Sequence, residues 1–384
     1  MLQKIACIYV LNMCVVGCID KSVIFALVME NMNKILIERL ERWYADNARD
    51  LPWRRTGDAY CIWVSEIILQ QTRVAQGYDY YLRFIERFPD VASLASADED
   101  EVMKYWQGLG YYSRARNMHA AARDIMSRFD GVFPSTFDDI RSLKGVGDYT
   151  ASAIASIAYN LPYAVVDGNV YRVLSRIFDI DIPIDTPAGK RYFAELAQEL
   201  LDKDNPRVYN QALMEFGALQ CVPSGCDCAS CPLSDFCAAK ALNKVDVLPV
   251  KQGKVSIKSR FFNYFAIECN GYTWLLKREG NDIWRNLYEY PLIETAENVD
   301  FIELIRTSAY CKLFDGAGQI AYTAQPFSCR HVLTHRIIYA TFYTVQVERC
   351  PASLSHLTPI ALCDVDRYAV SRLMELYKQH IAGI

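Results

Sequence analysis

"LKGVGDYTASAIAS", residues 143–156, sets Gly145 and Gly147 two positions apart, directly before a run of small residues. The pair predicts a tight turn that feeds a helix. Such a turn aims successive backbone N–H groups outward beside a helix N-terminus, where they can grip a phosphate without reading base sequence. A plain helix–helix connection has the same pattern, so the flanking sequence has to decide. Downstream, "AVVDGNVYRVLSR" (164–176) places Asp167 before a helical pattern, where an Asp taken alone is an N-cap. Upstream, "WVSEIILQQT" (63–72) carries one acid, Glu66, inside an apolar run, with Gln70 and Arg73 following at i+4 and i+7. An ion pair with Arg73, or a solvated helix edge, is the bland account of Glu66. The sharp one is a general acid whose pKa is raised by apolar surroundings.

From Asn33 to about Lys244 apolar residues recur at three- and four-residue spacing, punctuated by Pro, Gly and Asp, which predicts helices almost throughout. From Lys258 the texture changes to aromatic and β-branched runs such as "RFFNYFAIEC", "YTWLLKR" and "RIIYATFYTVQVE", which predict strands. Between them "KALNKVDVLPVKQGKVSIKSR" is rich in Lys and weak in periodicity, as expected of a linker. The expected organisation is an N-terminal extension over 1–31, a helical domain over 32–237, a linker over 238–257 and a strand-rich domain over 258–384. Within the extension, "ACIYVLNMCVVGCI" resembles the apolar core of an export leader but lacks a small-residue cleavage site. Met29 and Met32 directly precede an amphipathic stretch, so an upstream, non-native start is the expectation. No run reaches the roughly 18 apolar residues that a spanning helix needs.

The chain has 384 residues, 52% of them hydrophobic, enough for more than one core. A net charge of −4 excludes a globally basic polyanion binder, so any nucleic-acid surface has to be local. Fourteen cysteines in so long a chain favour reduced, metal-holding thiols over a disulfide scaffold. Five of them fall in "CVPSGCDCASCPLSDFC", residues 221–237. Cys221, Cys228, Cys231 and Cys237 follow C-x6-C-x2-C-x5-C, a set of four thiolates that suits zinc or a 4Fe-4S cluster. Cys226 stands one residue from Cys228, too close for both to ligate comfortably, and is expected to be a free thiol.

"LPWR", "WVSEIILQQT", "WQGLGYYSRARNMH", "LKGVGDYTASAIAS", "VVDGNVYRVLSR", "NQALMEFGALQC" and the cysteine loop, in this order, resemble the helix-hairpin-helix DNA glycosylases that carry an iron–sulfur cluster, and among them the adenine DNA glycosylase (MutY) family. The likeness runs from about Leu51 to Cys237. It implies a mainly α helix-hairpin-helix glycosylase domain with a 4Fe-4S loop, followed by an α+β Nudix-like domain. It implies that Cys221, Cys228, Cys231 and Cys237 hold the cluster and that Cys226 is spare. Glu66 would protonate adenine at N7 and later activate water, while Asp167, supported by Asn169, would stabilise the sugar cation. This is the two-carboxylate logic of glycosidic cleavage. The base must be flipped out of the duplex to be reached. Gln71 and Tyr111 would enter the base stack, Trp53 and Arg54 would line the pocket, and Gly145 and Gly147 would hold the backbone, with Lys144 where the family usually has Pro. Tyr149 stands where the lyase branch has a lysine nucleophile, which implies a monofunctional enzyme. Lys104, Arg114, Arg116, Arg123 and Arg128 are expected to form the local phosphate-facing surface.

The C-terminal stretch "NDIWRNLYEYPLIE" resembles the Nudix-like domain of that family, without the glutamate cluster of a working Nudix hydrolase. Leu333, Thr334 and His335 align with its Phe-Ser-His loop for 8-oxoguanine, Leu333 departing from Phe. The implied partner is duplex DNA carrying A opposite 8-oxoguanine or G. The setting implied is a monomer in the bacterial cytoplasm, at the nucleoid, with no membrane partner. The competing expectation is an endonuclease III-like glycosylase and lyase acting on oxidised pyrimidines.

Overall fold

The computed structural model describes residues 21–253 and 257–383. The apolar segment near the N-terminus and part of the expected linker lie outside the described residues. The chain folds into two compact units that interleave along its length. Among the described residues, the first comprises 21–70 and 124–253, the second 71–123 and 257–383.

In the first unit, the Lys21–Asn47 helix runs through position 31 without a break and packs against the Pro206–Leu219 helix. Leu36 and Leu40, one turn apart, sit in a core with Val170, Val173, Leu174, Phe193, Tyr209, Leu213 and Phe216. The Ala59–Leu69 helix starts at Asp58, whose carboxylate accepts from the backbone N–H of Tyr60 at 2.7 Å and Cys61 at 3.1 Å. It buries Ile62, Trp63, Val64, Ile67 and Ile68 and packs on the Asp148–Tyr159 helix, whose Ala151, Ser152, Ala153 and Ala155 allow close approach. The turn before that second helix is closed by Val146 N–H donating to the Leu143 carbonyl at 3.1 Å. Gly145 there has φ +82, a left-handed position that Gly fills without strain.

In the second unit, residues 258–383 build a mixed sheet from β1 (Lys258–Cys269), β2 (Tyr272–Thr273), β5 (Leu292–Thr295), β6 (Ile320–Tyr322), β7 (Phe327–Val332), β8 (Arg336–Val347) and β9 (Ile360–Ala361), with β3 (Leu276–Lys277) and β4 (Tyr288–Glu289) as a separate pair. β1 and β8 run parallel through the centre, and β7 folds back antiparallel on β8. Alternate residues face two cores. Phe262, Tyr264, Ala340 and Phe342 meet Leu373, Met374 and Tyr377 of the Arg372–Ile381 helix. Phe265, Ile267, Tyr343 and Val345 meet Leu304 and Phe314 on the opposite face. This is the expected α+β layout.

The same unit takes in the helices Val74–Arg87, Val91–Ser96 and Glu99–Trp106 and the start of Ser113–Arg128. Gln107 fastens them to the sheet domain, donating to Glu375 at 2.6 Å and accepting from the Val370 N–H at 3.2 Å. Tyr288 donates to Asp100 at 2.7 Å, and Lys277 pairs with the same carboxylate.

Two of the side chains expected to form the basic surface, Lys104 and Arg114, turn into the fold. Lys104 donates to Gln107 and to the Tyr368 carbonyl, inside the fold. Arg114 is 8% exposed because it falls on the buried helix stripe of Met118, Ala121 and Ala122. Its guanidinium lies 5.2 Å from the Trp106 ring and 5.6 Å from the Tyr111 ring. Arg116 donates to the Arg285 carbonyl, Arg123 to the Ala95 carbonyl, and Arg128 pairs with Asp124 at 2.7 Å.

Candidate active site

Glu66 lies at the start of the last turn of the Ala59–Leu69 helix, flanked by buried Ser65 and Ile67. The helix ends at Leu69, so Arg73 does not continue its stripe, and Gln70 instead donates to Thr150 at 3.2 Å. The partner of Glu66 is Tyr149, whose hydroxyl donates to Oε2 at 2.8 Å. Glu66 keeps some surface exposure yet is densely surrounded by protein. Burial, assisted by the negative charge of Asp167, raises its pKa to about 7, against the Tyr149 hydrogen bond and the Arg54 charge, which pull it down. A carboxyl poised there holds a proton for delivery near neutral pH and can take one back afterwards.

Asp167 is the N-cap of the Gly168–Phe178 helix. Its Oδ1 accepts from the backbone N–H of Asn169 and Val170, both at 2.8 Å, and its Oδ2 from the Asn169 side chain at 2.7 Å. Burial raises its pKa, restrained by those donors and by Arg172. Capping and poised charge thus coexist in one side chain. The support continues outward: Arg172 donates to Asn169 Oδ1 at 2.9 Å, to the Gly217 carbonyl at 2.6 Å and to the Cys221 carbonyl at 2.7 Å. Gly217 is required there, since a Cβ would lie 2.6 Å from Asn169 Cβ and 2.9 Å from its carbonyl oxygen.

Trp53 is 6% exposed in the Pro52–Arg54 turn, and Arg54 is half-buried. Arg54 donates to Glu215, an acid that the sequence pattern alone left unassigned. Its signal was present: an acid inside "ALMEFGAL" breaks an apolar run in the way that Glu66 does. Gly145 and Gly147 are exposed at the hairpin, next to the exposed Lys144. Gly147 has φ −98, ordinary extended backbone, and a Cβ there would meet nothing within 4 Å.

Cys221, Cys226, Cys228, Cys231 and Cys237 line one cavity of about 30 Å³ with Arg176 and Leu233. Arg176 Nη1 lies 3.3 Å from Cys221 Sγ and 3.7 Å from Cys226 Sγ, and Cys226 Sγ lies 3.6 Å from Cys228 Sγ. Cys226 is therefore not set apart from the other four. Among the described residues no three thiols converge on a single metal position. The donor set is nonetheless all sulfur and faces a buried guanidinium, which fits a thiophilic, anionic group.

In the second unit, Gln71 and Tyr111 are both exposed, with φ +56 and +44. Left-handed backbone at non-Gly residues costs energy and recurs at functional turns. The tip of the β7–β8 hairpin is Thr334-His335, closed by Leu333 N–H donating to the Arg336 carbonyl at 2.8 Å. Leu333 packs against the Phe262 and Ile338 core, supporting the turn from beneath. Tyr111 and Thr334 hydroxyls are 2.7 Å apart, so this unit joins one expected stacking residue to the expected lesion loop. Among the described residues no helix is long and apolar enough to cross a membrane.

Comparison with known proteins adds independent findings. The family model for the HhH-GPD superfamily base excision DNA repair protein matches residues 64–202, and that for the NUDIX domain matches residues 263–380. The adenine DNA glycosylase of Buchnera aphidicola subsp. Acyrthosiphon pisum (strain APS) is 34% identical over 268 residues, 69% of this chain and 77% of that protein. The adenine DNA glycosylase of Homo sapiens is 42% identical over 207 residues, 52% of this chain and 38% of that protein. Among solved structures, a thermostable thymine-DNA glycosylase aligns with TM-score 0.52 and 27% identity, covering 56% of this chain and 99% of that one.

Proposed function

The chain belongs to the adenine DNA glycosylase family of base excision repair, and from that membership we propose that it is monofunctional and excises adenine paired with 8-oxoguanine, or with guanine, in duplex DNA. The observation that carries this reading is the Glu66–Tyr149 pair. At the position where a lyase needs an amine stands a phenol, and that phenol serves the acid instead.

With adenine flipped into the site, the Glu66 carboxyl gives its proton to N7. The C1′–N9 bond then breaks with its electron pair leaving on the base. Asp167 faces the resulting oxocarbenium with a carboxylate held by three donors. Glu66, now a carboxylate, takes a proton from water as the water oxygen bonds to C1′, and an abasic site remains. Asn169 and Arg172 orient Asp167. Gly145, Gly147 and Lys144 hold backbone phosphate at the hairpin, Gln71 and Tyr111 fill the stack, and Trp53 and Arg54 bound the base pocket. Cys221, Cys228, Cys231 and Cys237 would hold a 4Fe-4S cluster. A bound cluster supplies four iron–thiolate bonds that tie the loop together, one residue of which, Cys221, offers its carbonyl to Arg172.

Thr334 and His335, with the Tyr111 hydroxyl beside Thr334, are the polar groups proposed to distinguish 8-oxoguanine from guanine. Purified protein on duplexes with A opposite 8-oxoguanine, A opposite G, and thymine glycol tests the whole proposal. Alkali-dependent breaks at adenine, fastest opposite 8-oxoguanine, are expected. Nicking without alkali together with borohydride-trapped adducts would establish the lyase alternative.

A further inference from the structure

Glu215 belongs to the Pro206–Leu219 helix and is 1% exposed. Five hydrogen bonds converge on its carboxylate. Arg49 contributes its backbone N–H at 3.0 Å, Nε at 2.7 Å and Nη2 at 2.5 Å, and Arg54 contributes Nη1 at 2.9 Å and Nη2 at 2.6 Å. Burial works against its charge, yet those donors hold its pKa at about 2, so it is an anion at any working pH. The neighbouring Met214 places its sulfur 4.0 Å from the Tyr149 hydroxyl, so this helix runs directly past the Glu66–Tyr149 pair. The Pro52–Arg54 turn also packs against the Glu66 helix.

The charged and titratable groups that face Glu66 are Tyr149 from the Asp148–Tyr159 helix, Asp167 from the cap of the Gly168–Phe178 helix, and Arg54 from the turn. Arg54 is the one cation among them. A guanidinium free to pair with Glu66 would stabilise the carboxylate and strip it of the proton it has to deliver. Both terminal nitrogens of Arg54 are instead occupied by Glu215, and its ring-facing side lies 5.7 Å from Tyr44.

We propose that Glu215 is a positioning residue for the acid: its two-oxygen grip withholds Arg54 from Glu66, leaving Glu66 hydrogen-bonded to Tyr149 and protonated when the base arrives. This rests on Glu66 being the acid, and the two claims fail differently. If Glu66→Gln keeps wild-type excision, the acid assignment is wrong. The positioning claim is read from Glu215→Gln in the full chain, by single-turnover excision of A opposite 8-oxoguanine from about pH 5 to pH 9. Freed Arg54 favours the Glu66 carboxylate, so the alkaline limb should move toward acid by about one unit or more, with the rate recovering at low pH. Adding Arg54→Met to Glu215→Gln should move the limb back. A variant that had merely lost its structure would lose amplitude at all pH values and would not be corrected by the second change. Should Glu215→Gln not fold, Glu215→Asp keeps the charge with a shorter reach, and a smaller shift of the same sign is expected. A folded Glu215 variant whose limb stays put, or moves toward alkali, overturns the proposal.

Discussion

Replacing Tyr149 with Phe removes one oxygen and with it the hydrogen bond that reaches Glu66 Oε2 at 2.8 Å. The ring, its packing and the burial that raises the Glu66 pKa all stay. A hydrogen bond to a charged group contributes about 1.5–3 kcal/mol. At about 1.4 kcal/mol per unit, its loss should raise the Glu66 pKa above about 7 by roughly one to two units. The sign follows from what the phenol does: it stabilises the carboxylate, so without it the proton is held to higher pH. Single-turnover excision opposite 8-oxoguanine, quenched with alkali to cut abasic sites, should show the alkaline limb displaced upward by that amount. The Glu215→Gln limb should move the opposite way, so the two variants bracket the wild type. A Tyr149→Phe limb that is unmoved, or that moves toward acid, would refute the argument that this hydrogen bond tunes the acid.

Glu66→Gln should abolish excision while retaining duplex binding, measured by mobility shift against single-turnover kinetics. It should also stabilise the fold selectively. The folded Glu66 pKa lies above its ordinary 4.5, so the protonated form's contribution is full below about pH 4.5 and lost as pH rises through about 7. At pH 8 the Gln variant should gain on the order of 2 kcal/mol in denaturant titration, after allowance for partial exposure, and little at pH 4. Asp167→Asn should slow excision by about 10² or more, since the amide cannot offset the sugar cation. Cys228→Ser should yield colourless protein while Cys226→Ser stays brown, checked by visible absorption and iron analysis. Tyr111→Phe and Thr334→Ala should each erode the preference for 8-oxoguanine over guanine, and a double-mutant cycle should give coupling of about 0.5 kcal/mol or more.

Glu66 was legible in the sequence because an acid inside an apolar helix violates the burial rule, and violations of that kind need a reason. Asp167 was legible as a cap, and the structure keeps it as one while leaving its second oxygen to Asn169. Glu215 offered the same signal as Glu66 within "ALMEFGAL", but its meaning depends on Arg49 and Arg54, more than 160 positions away. The basic cluster misled because charge along a helix does not say which side faces the core; Arg114 lies on the Met118 stripe and turns inward onto Trp106. The strand-rich character of residues 258–383 was plain from β-branched and aromatic runs. The interleaving of the units was not, since the helices of 71–123 have the same periodicity as those they follow.

That interleaving bears on how such a protein can be inherited and cut. The sheet domain is no detachable appendage, because the helices of 71–123 have lodged their polar groups in it. Gln107 looks to Glu375 and Val370, Lys104 to the Tyr368 carbonyl, and Asp100 to Lys277 and Tyr288. A stop codon after Lys251 would remove the partners of these side chains and open the part-buried surface around them to water. A truncated chain would then forfeit solubility before it forfeited discrimination between lesions. Two fragments divided at the same point and expressed together should find each other, because the first carries residues 71–123, which belong to the same compact unit as the second.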